Sequence, residues 1–137
     1  MTAPAFVDTN IWFYALSTSD EVKRIAANAL IDSLGTPMIN GQVVRELCCN
    51  LLKKSSFDET AIQELILGLY SDCAFAPDNA NIYLRAASLR QQKAFSYWDS
   101  LIVGAALEAG CETIYSEDMQ HLRLVNGSLR IINPFLV

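Results

Sequence analysis

The chain alternates short apolar runs with longer amphipathic ones. Ala5-Phe6-Val7 is broken by the polar Asp8-Thr9-Asn10, and Ile11 to Leu16 then continue as a hydrophobic block, the pattern of a buried strand feeding a helix. From about 20 to 34 the residues Val22, Ile25, Ala26, Ala29, Leu30 and Leu34 recur at steps of three and four, predicting a helix with these side chains inward, ended by Gly35 and Pro37. Met38-Ile39 predicts a second strand. From Gln42 onward Val43, Val44, Leu47, Cys48, Leu51 and Leu52 mark another helix, with Glu46 and Asn50 one turn apart on its opposite edge. A helix over about 59–71, a strand at Cys73-Ala74-Phe75, and a helix from Asp78 to about Lys93 with Ile82, Leu84, Ala86 and Leu89 inward follow from the same spacing. The next helix, about 98–109, buries Leu101, Ile102, Ala105, Ala106 and Ala109, carries Asp99 in its first turn and stops at Gly110. Thr113-Ile114-Tyr115 and Leu129 to Ile132 read as the last strands.

Strands that alternate with helices of this length predict parallel βαβ units with right-handed crossovers, an α/β fold with helices on both faces of the sheet. In such a sheet the carboxyl ends of strands and the amino ends of helices share one edge, the edge at which open α/β sheets bind ligands. Asp8 and Asp118 follow strands, and Glu46 and Asp99 lie near helix starts. All four acids are therefore expected at one edge. Carboxylates crowded together raise one another's pKa unless a divalent cation sits among them, so the pattern points to a metal-dependent enzyme.

Each acid also has an ordinary role open to it. Ser96-Tyr97-Trp98-Asp99 matches a capping box, Asp8 and Asp118 suit caps or turns, and Glu46 alone suits a solvated helix face. His121 suits a surface or packing position better than a ligand position. The functional reading rests on joint placement of the four acids.

Length and composition narrow the picture. With 137 residues, no Pro/Gly/Ser-rich linker and no internal repeat, a single domain spanning 1–137 is expected. The 52% hydrophobic content is high for so small a chain, which suggests apolar surface buried against another subunit or partner. No apolar run is long enough to span a membrane and no secretory segment opens the sequence, so a cytoplasmic location is expected. The four cysteines have neither disulfide-framework nor zinc-knuckle spacing, and His121 is the only imidazole. A two-histidine ribonuclease mechanism is thereby excluded, and oxygen-ligated Mg²⁺ or Mn²⁺ is favoured. The net charge of −5 includes the four clustered acids. With a cation bound, Lys53, Lys54, Arg85, Arg90, Lys93 and Arg123 can form local phosphate-holding patches, although at least half of them suit plain solvated helix faces.

Phe6-Val7-Asp8-Thr9-Asn10, Glu46-Leu47 with Asn50, Tyr97-Trp98-Asp99-Ser100-Leu101-Ile102, Tyr115-Ser116-Glu117-Asp118-Met119 and the closing Ile132-Asn133-Pro134-Phe135 together resemble the successive motifs of PIN-domain ribonucleases. The likeness runs along essentially the whole chain and, in length, is most similar to the VapC-type toxins of toxin–antitoxin pairs. It implies a three-layer α/β/α domain with a parallel sheet of about five strands in the order 3-2-1-4-5. It implies an Mg²⁺- or Mn²⁺-dependent endoribonuclease, a homodimer, an RNA substrate and a small antitoxin protein as partner. The site so implied is Asp8, Glu46, Asp99 and Asp118, with Asp8, Asp99 and Asp118 as metal ligands and Thr9, Asn10, Ser116 and Glu117 in support. Two other classes fit an aspartate after the first strand: a magnesium-dependent phosphate-handling α/β domain, and a non-catalytic PIN-like binding module. Against the first, Asn10 stands where an Asp-x-Asp motif has its second acid.

Overall fold

A computed structural model describes residues 3–92 and 94–136. In chain order the elements are strand β1 (Ala5–Val7), helices α1 (Thr9–Leu16) and α2 (Glu21–Ser33), β2 (Met38–Ile39), α3 (Gly41–Lys54), α4 (Glu59–Asp72) and β3 (Ala74–Phe75). There follow α5 (Ala80–Gln92), α6 (Tyr97–Glu108), β4 (Thr113–Tyr115), β5 (Leu124–Val125), β6 (Leu129–Ile132) and a single 3₁₀ turn, Pro134–Leu136. The expected alternation is present. Its elements assemble into one sheet of order β3-β2-β1-β4-β6-β5. The first five strands in that order are parallel, and Phe6 at the centre pairs with Met38 on one side and Ile114 on the other.

The sixth strand departs from the expected five. β5 runs antiparallel to β6, with Val125 opposite Leu129, through a turn in which Asn126 and Gly127 both have positive φ, 50° and 71°. An Asn-Gly pair tolerates that conformation at both central positions and turns the chain with the twist of the strands. β5 therefore adds a short antiparallel edge outside the parallel order β3-β2-β1-β4-β6.

Burial follows the sheet. Phe6, Val7, Ile39, Ile114, Leu129 and Ile131 are fully buried between two helical layers, with Val43, Leu47 and Leu51 of α3 packed on them. α6 is buried at every position from Ser100 to Ala106, so it is apolar all round rather than amphipathic. Two expected inward faces are corrected. In α2 only Ala27 is fully enclosed, with Leu30, Ile31 and Leu34 half-buried, whereas Val22 and Ile25 are 79% and 60% exposed. Leu84 of α5 likewise faces solvent. α5 also begins two residues later than expected, because the Asn79 carboxamide, not Asp78, accepts the Ile82 amide at 3.3 Å. Its expected end at Lys93 lies outside the described residues.

All four cysteines are free; Cys111 is buried and its thiol pushed up to about 11 by burial, as suits an inert packing thiol, whereas Cys48 and Cys73 are half-buried and Cys49 is exposed. Among the described residues no helix is long and apolar enough to cross a membrane.

Candidate active site

The site begins where β1 ends. Asp8 leaves the strand with extended backbone and caps α1: its Oδ1 accepts the Thr9 amide at 2.8 Å. Ser116, the residue directly after the neighbouring strand β4, donates its hydroxyl to the other carboxylate oxygen, Oδ2, also at 2.8 Å. The ladder continues through both residues, since the Asp8 amide donates to Tyr115 O and the Ser116 amide to Ile132 O, each at 3.0 Å. Strand register thus clamps one carboxylate from two sides. Asp8 is only 6% exposed, and burial pushes its carboxyl up to about 7 against the lowering effect of those two hydrogen bonds. The charges of Asp99 and Glu46 push it further the same way.

The other acids arrive from separate elements. Glu46, in the second turn of α3, accepts the Thr9 hydroxyl on Oε1 at 3.3 Å. Asp99 lies in the first turn of α6, where the Ser96 hydroxyl accepts its amide at 3.1 Å, so the capping arrangement is real and leaves the carboxylate facing the cleft. Burial raises the Asp99 carboxyl; the Ser96 hydroxyl lowers it and the Asp118 charge raises it. Asp118 follows β4, and its amide donates to Ser116 Oγ at 3.3 Å. All four acids line one cleft of about 420 Å³ together with Thr9, Asn10 and Glu117. Ser116 lies fully buried beneath it.

The supporting residues divide by contact. Asn10 Oδ1 accepts the Glu117 amide at 3.1 Å and ties α1 to the segment after β4. The Glu117 carboxylate is paired with Lys23 of α2, whose ammonium also stands 4.6 Å from the Tyr14 ring centroid and 5.3 Å from that of Phe135. Its charge is thus engaged at the rim, unlike that of Asp8, which takes part in no ion pair among the described residues. His121 Nδ1 accepts the Asn133 amide at 2.9 Å, a packing role. Of the expected basic residues, Arg85 pairs with Glu108, Arg90 donates to Ser100 and stacks on Tyr97, and Arg123 lies over Phe95. Lys93 lies outside the described residues, and Lys54 alone among the described cations lines the cleft.

Two cleft features escape the sequence reading. Gln42, nearly buried, donates to Trp98 O at 3.3 Å and joins the starts of α3 and α6, which carry Glu46 and Asp99. The Lys23 pairing is the other. Neither has a sequence signal, because each partner lies more than fifty residues away.

The donor set suits a hard cation. Every acidic or amide group in the cleft offers oxygen, and among the described residues no cation pairs with the buried Asp8 carboxylate. Among the described residues no three acidic, histidine or cysteine side chains stand close enough together to hold a metal ion by themselves. Mg²⁺ does not require this: it retains several waters and is commonly held by one or two carboxylates plus substrate phosphate.

The clamp on Asp8 can be tested without any assay of activity. Ser116→Ala is expected to cost about 2 kcal/mol above pH 7, where a hydrogen bond to a charged carboxylate is lost, and about 1 kcal/mol at pH 5, where that bond is neutral. Urea unfolding at both pH values without metal checks this, and an equal loss at the two would count against it.

A model of the PIN domain matches residues 5–126, most of the chain. The chain belongs to the PIN domain family. No curated protein matches its sequence. Among solved structures, this PIN domain is similar to a chain of a toxin–antitoxin complex from Klebsiella pneumoniae, with a TM-score of 0.73, 18% identity and coverage of 95% of this chain and 97% of the other. It is also similar to VapC20 of Mycobacterium tuberculosis, described as a sarcin–ricin loop cleaving toxin, with a TM-score of 0.68, 18% identity and coverage of 83% and 89%. At that identity the likeness establishes a shared fold.

Proposed function

We propose that this PIN domain is an Mg²⁺- or Mn²⁺-dependent endoribonuclease and the toxin of a VapC-type toxin–antitoxin pair. The observation that carries the reading is that Asp8, Glu46, Asp99 and Asp118, from four separate segments, line a single cleft at the carboxyl edge of a parallel sheet. Family membership and two proteins of the same fold, one from a toxin–antitoxin complex and one a sarcin–ricin loop cleaving toxin, support it.

In this reading Asp8, Asp99 and Asp118 would hold the cation between them, directly or through the waters it retains. When bound, such an ion polarises the scissile phosphate and lowers the pKa of water. Thr9 and Ser116 fix the Asp8 carboxylate by one hydrogen bond to each oxygen, so its position is set before substrate arrives. Glu46, held at Oε1 by the Thr9 hydroxyl, orients the attacking water and takes its proton. In-line attack leaves a 5′-phosphate and a 3′-hydroxyl. Lys23 offsets Glu117, so one fewer free negative charge meets the incoming polyanion.

The exposed Val22 and Ile25 of α2, Leu67 and Tyr70 of α4 and Leu84 of α5 support burial of part of the surface by other chains. A second copy of this chain and a small cognate antitoxin are the partners proposed, with action on RNA in the cytoplasm.

The test is cleavage of total cellular RNA by purified wild type beside Asp99→Asn, with the new ends mapped. Wild type is expected to cut with Mg²⁺ or Mn²⁺, to stop with EDTA, and to leave 5′-phosphates. Asp99→Asn is expected to keep the fold and lose roughly a thousandfold in rate. Equal cutting by the variant, or 2′,3′-cyclic phosphate ends, would overturn the proposal.

A further inference from the structure

The acidic cleft does not end at its carboxylates. A second furrow of about 220 Å³ adjoins it, and the two share Ser19 and Lys54. Its walls are the segment after α1 and the segment after α3, in which Thr18, Ser19 and Ser56 are exposed hydroxyls. The loop that carries Ser19 is shaped from within. Ser17, almost fully buried, caps α1 by donating its amide to Phe13 O, and its hydroxyl lies 3.0 Å from that of Ser19. On the facing wall Ser55 donates its hydroxyl to Leu51 O at 2.6 Å and accepts the Phe57 amide at 3.3 Å.

Charge gives this furrow its chemistry. Lys54 is the one basic side chain among the described residues lining the acidic cleft, and it belongs to none of the ion pairs found among them. A polyanion entering a cleft lined by five carboxylates, one of them paired with Lys23, meets repulsion that only a bound cation and this ammonium offset. Hydroxyls beside a lysine suit a sugar–phosphate backbone: they donate to phosphate oxygens and exchange hydrogen bonds with a ribose 2′-hydroxyl. A lysine in the last turn of a helix also has an ordinary role, complementing the helix dipole. Lys53 isolates that role, since it occupies the same exposed last turn of α3 yet lines neither furrow nor cleft.

We propose that Lys54, with the hydroxyls of Thr18, Ser19 and Ser56, forms a phosphate subsite that holds the RNA backbone one step beyond the scissile bond. This rests on the nuclease reading for its substrate, and it names where the strand leaves the acidic cleft. The ammonium binds the flanking phosphate and fixes the strand's path, so it is a binding residue that takes no part in the proton transfers.

Binding of a fluorescein-labelled 12-nucleotide single-stranded RNA of mixed sequence, followed by anisotropy from 50 to 300 mM KCl, tests it on the full chain carrying Asp99→Asn, alone and combined with Lys54→Gln or Lys53→Gln. Lys54→Gln is expected to weaken binding about fivefold at the lowest salt and to reduce the slope of log Kd against log salt by about 0.7, the loss of one phosphate contact on a single strand. Lys53→Gln is expected to leave both unchanged. No effect of Lys54→Gln, or equal effects of the two lysines, overturns the subsite. Cleavage of the same RNA by wild type with Mn²⁺ separates the two readings. If wild type cuts while Lys54→Gln binds normally, the subsite fails and the nuclease stands; if wild type binds with the lysine dependence but never cuts, the subsite stands and the nuclease fails. Absence of any binding overturns both.

Discussion

Asp8→Asn is expected to abolish RNA cleavage and, in the same molecule, to stabilise the metal-free protein. The carboxylate is buried, takes part in no ion pair among the described residues, and has a folded-state pKa of about 7 against an ordinary 3.8. Because the folded-state value is raised, the native state binds the proton more tightly than the unfolded chain does. The stabilisation linked to that proton is fully present below pH 3.8 and is lost as pH rises through about 7. Asparagine escapes this loss and fits the same clamp: its oxygen accepts the Thr9 amide, and its amide nitrogen donates to Ser116 Oγ. With EDTA present, the variant should melt about 5 °C above wild type at pH 8 and show little gain at pH 4. Mn²⁺ should narrow the gap at pH 8, because it stabilises only the form that binds it. Cleavage should fall roughly a thousandfold or more, as the proposed metal ligand is lost. A variant that melts below wild type at pH 8 in EDTA would show that the buried charge is not strained. The same substitution thus separates what Asp8 does for the fold from what it does for the site.

Gly104→Leu is expected to prevent folding, and Gly104→Ala to cost about 2 kcal/mol. A Cβ at this position would stand 2.9 Å from the Ile82 carbonyl oxygen and 3.4 Å from the Ala86 amide nitrogen, both backbone atoms of α5 that cannot swing aside. Alanine is the better helix former by about 1 kcal/mol, and the steric cost has to exceed that gain for the prediction to hold. α6 is enclosed along this stretch and carries Asp99 in its first turn, so a wedge between α5 and α6 also displaces a wall of the cleft. Thermal melting of the alanine variant decides the point: a Tm equal to or above wild type would mean that α5 and α6 can part freely.

Much of the architecture was legible because periodicity reports burial directly. The five parallel strands, each two to four residues long, appear as brief apolar runs between helices, and their order around Phe6 follows the order that the family resemblance implies. β5 was not legible from apolar pattern, since it is an edge strand with Leu124 exposed and only Val125 buried; Asn126-Gly127 was the available signal, and it lies at the turn. Val22 and Ile25 depart from the expected face for a different reason. Their spacing fits an inward stripe, but which face of α2 packs is set by its neighbours, and only Ala27 is fully enclosed there. At the cleft, strand ends and helix starts sufficed to bring Asp8, Glu46, Asp99 and Asp118 together, because the parallel topology sends them all to one edge. The links that hold them, Ser116 to Asp8, Gln42 to Trp98 and Lys23 to Glu117, join residues 108, 56 and 94 positions apart. Such pairings depend on tertiary packing, and no local pattern encodes them.

Electron paramagnetic resonance of Mn²⁺ titrated into the protein in EDTA-free buffer, with single-stranded RNA at a fixed excess, measures cation capture at this cleft most directly. The account predicts that wild type removes Mn²⁺ from the free signal with at least one ion per chain, and that Asp8→Asn and Asp99→Asn, both still folded, each weaken that uptake by roughly tenfold or more. Uptake by both variants that matches wild type would contradict it, because the ion would then be held somewhere other than among these carboxylates.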